Sequence, residues 1–127
     1  MGVVRAWLGV LVLVELPVIR DALDVRQPFS GYYWESLQAD LHTKRTFLLF
    51  ILLLVLVRLQ AALAPDVRAV RVLCGAVHAA EALILWAEPL ALGLAQGMPS
   101  HFFLAVPFNA VLFSLWAAAP IAKRKQA

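Results

Sequence analysis

Four ionisable side chains lie inside apolar segments of the sequence, where a charge is costly and calls for an explanation: Glu15, Arg58, His78 and Glu81. His78 and Glu81 are three residues apart, so a helix carries both on one face. Counted from the centres of their segments, Glu15 and Glu81 both fall about 6 Å from the bilayer midplane, and His78 lies close to it. We therefore predict that Glu15, His78 and Glu81 meet in one polar cluster.

Three roles are open to such a cluster. Its members could form hydrogen bonds between helices, at about 1 kcal/mol each, and this is the interpretation we favour. They could instead contact a lipid or a partner protein, or serve a proton-transfer reaction. We expect Arg58 to extend its long side chain to its own membrane interface rather than to pair with an acid.

The sequence holds no pattern typical of a metal or cofactor site. His42, His78 and His101 are far apart and lack the paired spacing of metal ligands, and they cannot supply the histidine-rich boxes of membrane di-iron oxygenases. No nucleophile motif, phosphate-binding loop or dinucleotide fingerprint is present. We predict a protein without a metal or cofactor that is not an enzyme.

The composition indicates an integral membrane protein. Of its 127 residues, 63% are hydrophobic and 15% are charged, whereas soluble domains are about 45–50% apolar and about 25% charged. Eleven apolar residues separate Thr46 from Arg58. The helix that they form is too short to cross a bilayer core of about 30 Å, so this span must continue past Arg58. We predict a single all-α domain over residues 1–127, an integral membrane four-helix bundle with spans at about 3–19, 46–64, 67–87 and 101–121.

The distribution of basic residues predicts the orientation. With four spans, seven basic residues fall on the side of both termini: Arg5, Arg58, Arg68, Arg71, Lys123, Arg124 and Lys125. The other side holds four: Arg20, Arg26, Lys44 and Arg45. The excess of basic residues on cytosolic loops places both termini in the cytosol. The net charge of +3 does not suggest a nucleic-acid partner, because the basic residues lie at helix ends and at the C-terminus.

Four short segments carry a resemblance to a known family: Val4-Arg5-Ala6-Trp7-Leu8, Ser36-Leu37-Gln38-Ala39, Arg45-Thr46-Phe47, and Val77-His78-Ala79-Ala80-Glu81-Ala82-Leu83. They resemble the family of ergosterol biosynthetic protein 28, a membrane scaffold of sterol biosynthesis. The spacing of Arg45 and Arg58 is similar to that of the family's arginines on either side of span two. The chain departs from the family by an apparent insertion at residues 40–44 and by a His–Glu spacing of three where four is expected.

The resemblance implies a non-catalytic tether in the endoplasmic reticulum membrane. Members of that family gather the enzymes that remove the sterol C4 methyl groups: a methyl oxidase, a decarboxylating dehydrogenase and a keto-reductase. The expected partners are thus other integral membrane proteins, together with membrane lipids. The C-terminal Lys123 and Lys125 have the spacing of a dilysine retrieval signal, although a plain basic tail on anionic lipid fits them equally.

Two alternatives belong to other classes. The chain could be an accessory subunit of a mitochondrial respiratory-type complex in the inner membrane, since short hydrophobic chains commonly fill gaps in such assemblies. It could also be a small membrane isomerase that acts on sterols through His78 and Glu81.

Overall fold

The structure is a computed structural model that describes residues 2–24, 41–93 and 100–121. Within these ranges the chain is all-helical and contains no strand. The helices are α1 (Gly2–Leu23), α2 (Leu41–Leu63), α3 (Arg68–Ala82), α4 (Glu88–Ala91) and α5 (Ser100–Ala118), and a π-helix, Leu83–Ala87, joins α3 to α4. The all-α prediction is therefore confirmed for the described part of the chain.

Three helical stretches of the described chain are long and apolar enough to cross a membrane. They are Gly2–Leu23, Lys44–Leu63 and Arg68–Ala91, with mean hydropathies of 2.0, 2.4 and 1.5. The fourth apolar helix, Phe103–Ala118, is shorter. These lengths support a membrane protein, while the arrangement as four spans stays a prediction.

The third helical stretch does not end where the sequence suggested. The predicted span closes at about residue 87, just before Pro89, yet the helix continues to Ala91, and the left-handed Gly93 (φ 68°) follows. Proline lacks an N–H and clashes with the carbonyl four residues earlier in a regular α-helix. The π-helix lies directly before Pro89, and in its wide turn the Glu88 N–H bonds to the Leu83 carbonyl. This wider turn accommodates the proline ring and its missing N–H.

One apolar core joins the four long helices. Its buried members are Leu8 and Leu11 of α1, Ala61 of α2, Val70 and Cys74 of α3, and Phe113 and Trp116 of α5. α1 packs most extensively on α2, α3 packs most extensively on α5, and α2 also contacts α3. Trp7 of α1 reaches α5, where its indole Nε1 donates a hydrogen bond of 2.9 Å to Asn109 Oδ1.

The contact between α3 and α5 is close because Gly75 faces α5. A Cβ atom at Gly75 would lie 3.1 Å from the Phe113 carbonyl oxygen and 3.2 Å from Ala117 Cβ. Small residues at such crossings let two backbones approach closely, which strengthens the van der Waals packing between helices.

The outward faces of the helices are apolar. Large hydrophobic side chains with more than half of their surface exposed occur on α1, α2, the π-helix and α5, among them Leu13, Leu49, Leu53, Leu56, Leu83, Leu104 and Leu115. An apolar surface of this extent is typical of lipid contact or of docking between membrane proteins.

Replacement of Gly75 by leucine tests the α3–α5 contact. We expect Gly75→Leu to lower the free energy of unfolding by about 1–3 kcal/mol, because the larger side chain forces the two helices apart. Gly9→Leu is the matched control, since a Cβ at Gly9 meets nothing within 4 Å. Reversible unfolding in mixed micelles measures both variants, and equal stabilities would contradict the assigned contact.

Candidate site: a buried cluster around Arg58

Arg58 of α2 lies at the centre of a buried polar cluster, with only 2% of its surface exposed. Its Nη1 donates a hydrogen bond of 2.6 Å to Glu15 Oε1 of α1. Its Nε donates one of 3.1 Å to His78 Nε2 of α3. Its Nη2 lies 3.8 Å from Glu81 Oε2, also on α3. The structure therefore brings together all four ionisable residues that the sequence placed inside the apolar segments.

The expectation that Arg58 extends to its own interface is wrong. The side chain turns inward because a carboxylate and an imidazole on two other helices lie within reach of its planar fork of donors. A guanidinium bonded in this way keeps its hydrogen bonds without leaving the apolar interior. Arg58 thus does not belong to the basic residues that set the orientation of the chain.

The hydrogen bonds of His78 fix its state. An arginine Nε–H can only donate, so His78 Nε2 accepts and carries no proton. His78 Nδ1 lies 2.8 Å from the Cys74 carbonyl oxygen, which can only accept, so Nδ1 carries the proton. The imidazole is therefore neutral, and both of its nitrogens are bonded within the protein. Its ring also packs on Phe113, with centroids 4.3 Å apart.

The two acids of the cluster share one guanidinium unequally. Arg58 carries the positive charge, while Glu15 and Glu81 are both within 4 Å of it. Glu15 takes the short hydrogen bond, whereas Glu81 Oε2 is buried and has no hydrogen-bond partner in the described part of the chain. Glu81 is thus the unsatisfied member of the group.

Two further basic side chains tie the helix ends together. Arg71 is buried, and its Nε donates to the Pro65 carbonyl in the turn between α2 and α3. Its guanidinium carbon also lies 5.0 Å from the centroid of the Trp116 ring, a distance typical of cation–π contact. Lys44 Nζ donates a hydrogen bond of 2.6 Å to the Asp24 carbonyl, which joins α2 to the end of α1.

Sequence reasoning missed these roles because it used both side chains only in the count of basic residues that predicts the orientation. A signal was present for Arg71, since it lies close to the end of α2, where carbonyls without an intrahelical partner need side-chain donors. Lys123 and Lys125, the retrieval-like residues of the tail, lie outside the described residues.

Within the described ranges, no group of three or more histidine, cysteine, aspartate or glutamate side chains could hold a metal ion. What the cluster can do chemically is hold three helices together through the hydrogen bonds of Arg58. Comparisons of the chain with protein-family models, with curated proteins and with solved structures found no match. The resemblance to the sterol scaffold family therefore rests on the four short sequence segments described above.

Removal of the guanidinium tests the cluster as a stabilising unit. We expect Arg58→Met to lower the free energy of unfolding by about 3–5 kcal/mol, because Glu15 loses its positive partner and His78 loses its hydrogen-bond donor in the interior. The triple variant Arg58→Met, Glu15→Gln, Glu81→Gln also removes the two carboxyl groups around Arg58 and should recover most of this loss.

Arg5→Met is the control for loss of an arginine, because Arg5 lies on the exposed face of α1. Reversible unfolding in mixed micelles measures the free energy of unfolding of the wild type and of the three variants. Equal losses for Arg58→Met and Arg5→Met would show that the buried pairings contribute nothing.

Proposed function

We propose that the chain is a non-catalytic membrane tether whose outer surface docks other integral membrane proteins. The observation that carries this proposal is the division of the molecule into a polar interior and an apolar exterior. The ionisable cluster is turned inward and largely bonded to itself, with Arg58 held by Glu15 and His78. The exterior offers apolar helix faces, which suit contact with other membrane helices.

The state of His78 argues against the sterol isomerase alternative. A proton-transfer group needs a free nitrogen directed at its substrate. Both ring nitrogens of His78 are engaged, one with Arg58 and one with the Cys74 carbonyl. The side chain is also fully buried, so a substrate has no direct contact with it.

A groove of small residues between α3 and α5 is the surface best suited to docking. It has a volume of about 400 Å³ and is lined by Arg68, Val72, Gly75, Ala76, Ala79, Ser114, Ala117 and Ala118. Small side chains allow a further helix to approach closely, so the occupant we propose is a transmembrane helix of a partner protein.

The resemblance supplies the class of partner. We propose that the docked proteins are the enzymes of sterol C4 demethylation, in the endoplasmic reticulum membrane, with both termini of the tether in the cytosol. The sequence features behind this step are the Arg-Ala-Trp-Leu opening at residues 5–8 and the His–Glu segment at residues 77–83. Localisation separates this proposal from a subunit of a mitochondrial complex.

Co-purification with a matched pair of variants tests the proposal. The tagged chain is expressed in its native cells, localised, and purified in mild detergent with identification of the proteins bound to it. We expect endoplasmic reticulum localisation and recovery of sterol C4-demethylation enzymes. Ala76→Phe fills the groove and should reduce their recovery about tenfold, the equivalent of about 1.4 kcal/mol of binding free energy.

Leu104→Phe is the control, because Leu104 is 70% exposed on α5 and does not line the groove. Mitochondrial localisation would refute the assignment to sterol metabolism. Equal recovery of partners by Ala76→Phe and Leu104→Phe would refute the groove, and sterol turnover by the purified chain alone would refute the tether.

A further inference from the structure

The groove between α3 and α5 presents two polar side chains that have no partner among the described residues. Arg68 is the first residue of α3, and it is exposed on the wall of the groove. Ser114 of α5 is also exposed and lines the same groove. Neither side chain forms a hydrogen bond or an ion pair within that part of the chain. The two side chains therefore indicate the chemistry of the helix that fills the groove.

The acidic residue next to Arg68 in the sequence is directed elsewhere. Asp66 Oδ1 lies 3.9 Å from Arg71 Nη2, and the Arg71 Nε donates to the Pro65 carbonyl. The two buried arginines, Arg58 and Arg71, thus have acceptors within the chain. Arg68 stands at the end of the groove without one in the described ranges, so charge complementarity indicates a negative group on the occupant.

The shape of the groove favours a helix over a lipid as the source of that negative group. On α3 the lining residues recur every three or four positions from Arg68 to Ala79, so they share one face over about 16 Å, or about three helical turns. Ala117 and Ala118 line the opposite wall. Small side chains let a second helix backbone approach closely, and a serine such as Ser114 can hydrogen-bond across helices. A flexible acyl chain requires neither feature.

We propose that the partner helix in this groove carries an aspartate or glutamate that pairs with Arg68. The acid would lie about three helical turns from the point at which the partner helix faces Ala79. This inference rests on the proposed function, since it gives the chemistry of the helix that docks there. The carboxylate accepts hydrogen bonds from the planar guanidinium, and the partner's own small residues pack along the groove.

Binding of model transmembrane peptides to the full chain in phosphatidylcholine nanodiscs tests the proposal. The first peptide is a leucine helix of about 22 residues, with glycine at every fourth position on one face and one glutamate at the level of Arg68. Two others replace that glutamate by glutamine or by lysine. Energy transfer between labelled chain and peptide measures the affinity. We expect the glutamate peptide to bind about fivefold more tightly than the glutamine peptide, the upper range for an ion pair near a surface.

Reversal of the charge at Arg68 identifies the group that pairs with the peptide. Arg68→Glu should bind the lysine peptide more tightly than the glutamate peptide, which inverts the preference of the wild type. The variant should fold, because Arg68 is exposed and an acid in the first turn agrees with the helix dipole. Arg5→Glu is the matched control, since Arg5 is exposed near the start of α1 and does not line the groove. It should keep the wild-type preference.

The results separate this inference from the docking groove itself. Equal affinities for the glutamate and glutamine peptides, both weakened by Ala76→Phe, would overturn the acidic partner and leave the groove in place. An unchanged preference in Arg68→Glu would overturn the pairing with Arg68. Absence of binding by all three peptides would overturn both the groove and the pairing.

A lipid headgroup is the competing source of negative charge. Native mass spectrometry of nanodiscs that also contain phosphatidylglycerol measures how much of this lipid the chain retains. Retention by the wild type and loss in Arg68→Glu, together with equal affinities for the glutamate and glutamine peptides, would assign Arg68 to lipid and overturn the proposal.

Discussion

The fold depends on one guanidinium group that is buried among apolar helices. A charge in this position has a high desolvation cost unless it is paired and hydrogen-bonded. Truncation of one partner leaves the other charge buried without compensation for that cost. Arg58 meets the condition through Glu15 of α1 and His78 of α3, at 2.6 and 3.1 Å. Because both bonds have narrow geometric limits, they fix the relative depth and rotation of three helices, which apolar contacts alone specify weakly.

The remaining contacts follow from this arrangement. With α3 held against α2, its small-residue face lies against α5, where Gly75 contacts the Phe113 backbone. The hydrogen bond between Trp7 and Asn109 then connects α5 back to α1. The polar groups are thereby directed inward, and the outward helix faces stay apolar. This division between a polar interior and an apolar exterior is the basis of the proposal that the protein works through its outer surface.

The helical class and three members of the polar cluster, Glu15, His78 and Glu81, could be predicted from the sequence. Apolar segment lengths and the three-residue spacing of His78 and Glu81 were enough to place Glu15 near them. The direction of the Arg58 side chain could not be predicted, because a flexible side chain near the end of an apolar run reaches either an interface or a partner. The hydrogen bond between Asn109 and Trp7 could not be predicted either, because the two residues are 102 positions apart along the chain.

Proline gave a misleading signal at the end of the third helical stretch. Pro89 normally marks the end of a helix, and only the π-turn before it lets the helix continue to Ala91. The partners and the membrane of residence could not be predicted from the residues alone, because the shape of a docking surface does not specify which protein binds to it.

The protonation state of His78 in a bilayer tests the central claim most directly. His42→Gln and His101→Gln leave His78 as the only histidine, so solid-state NMR of the isotope-labelled side chain reports on it alone. The account predicts a neutral ring with its proton on Nδ1 and a lone pair on Nε2 that accepts from Arg58. A proton on Nε2, in either the neutral ring or the imidazolium, would contradict it, because Arg58 could not then donate to that nitrogen.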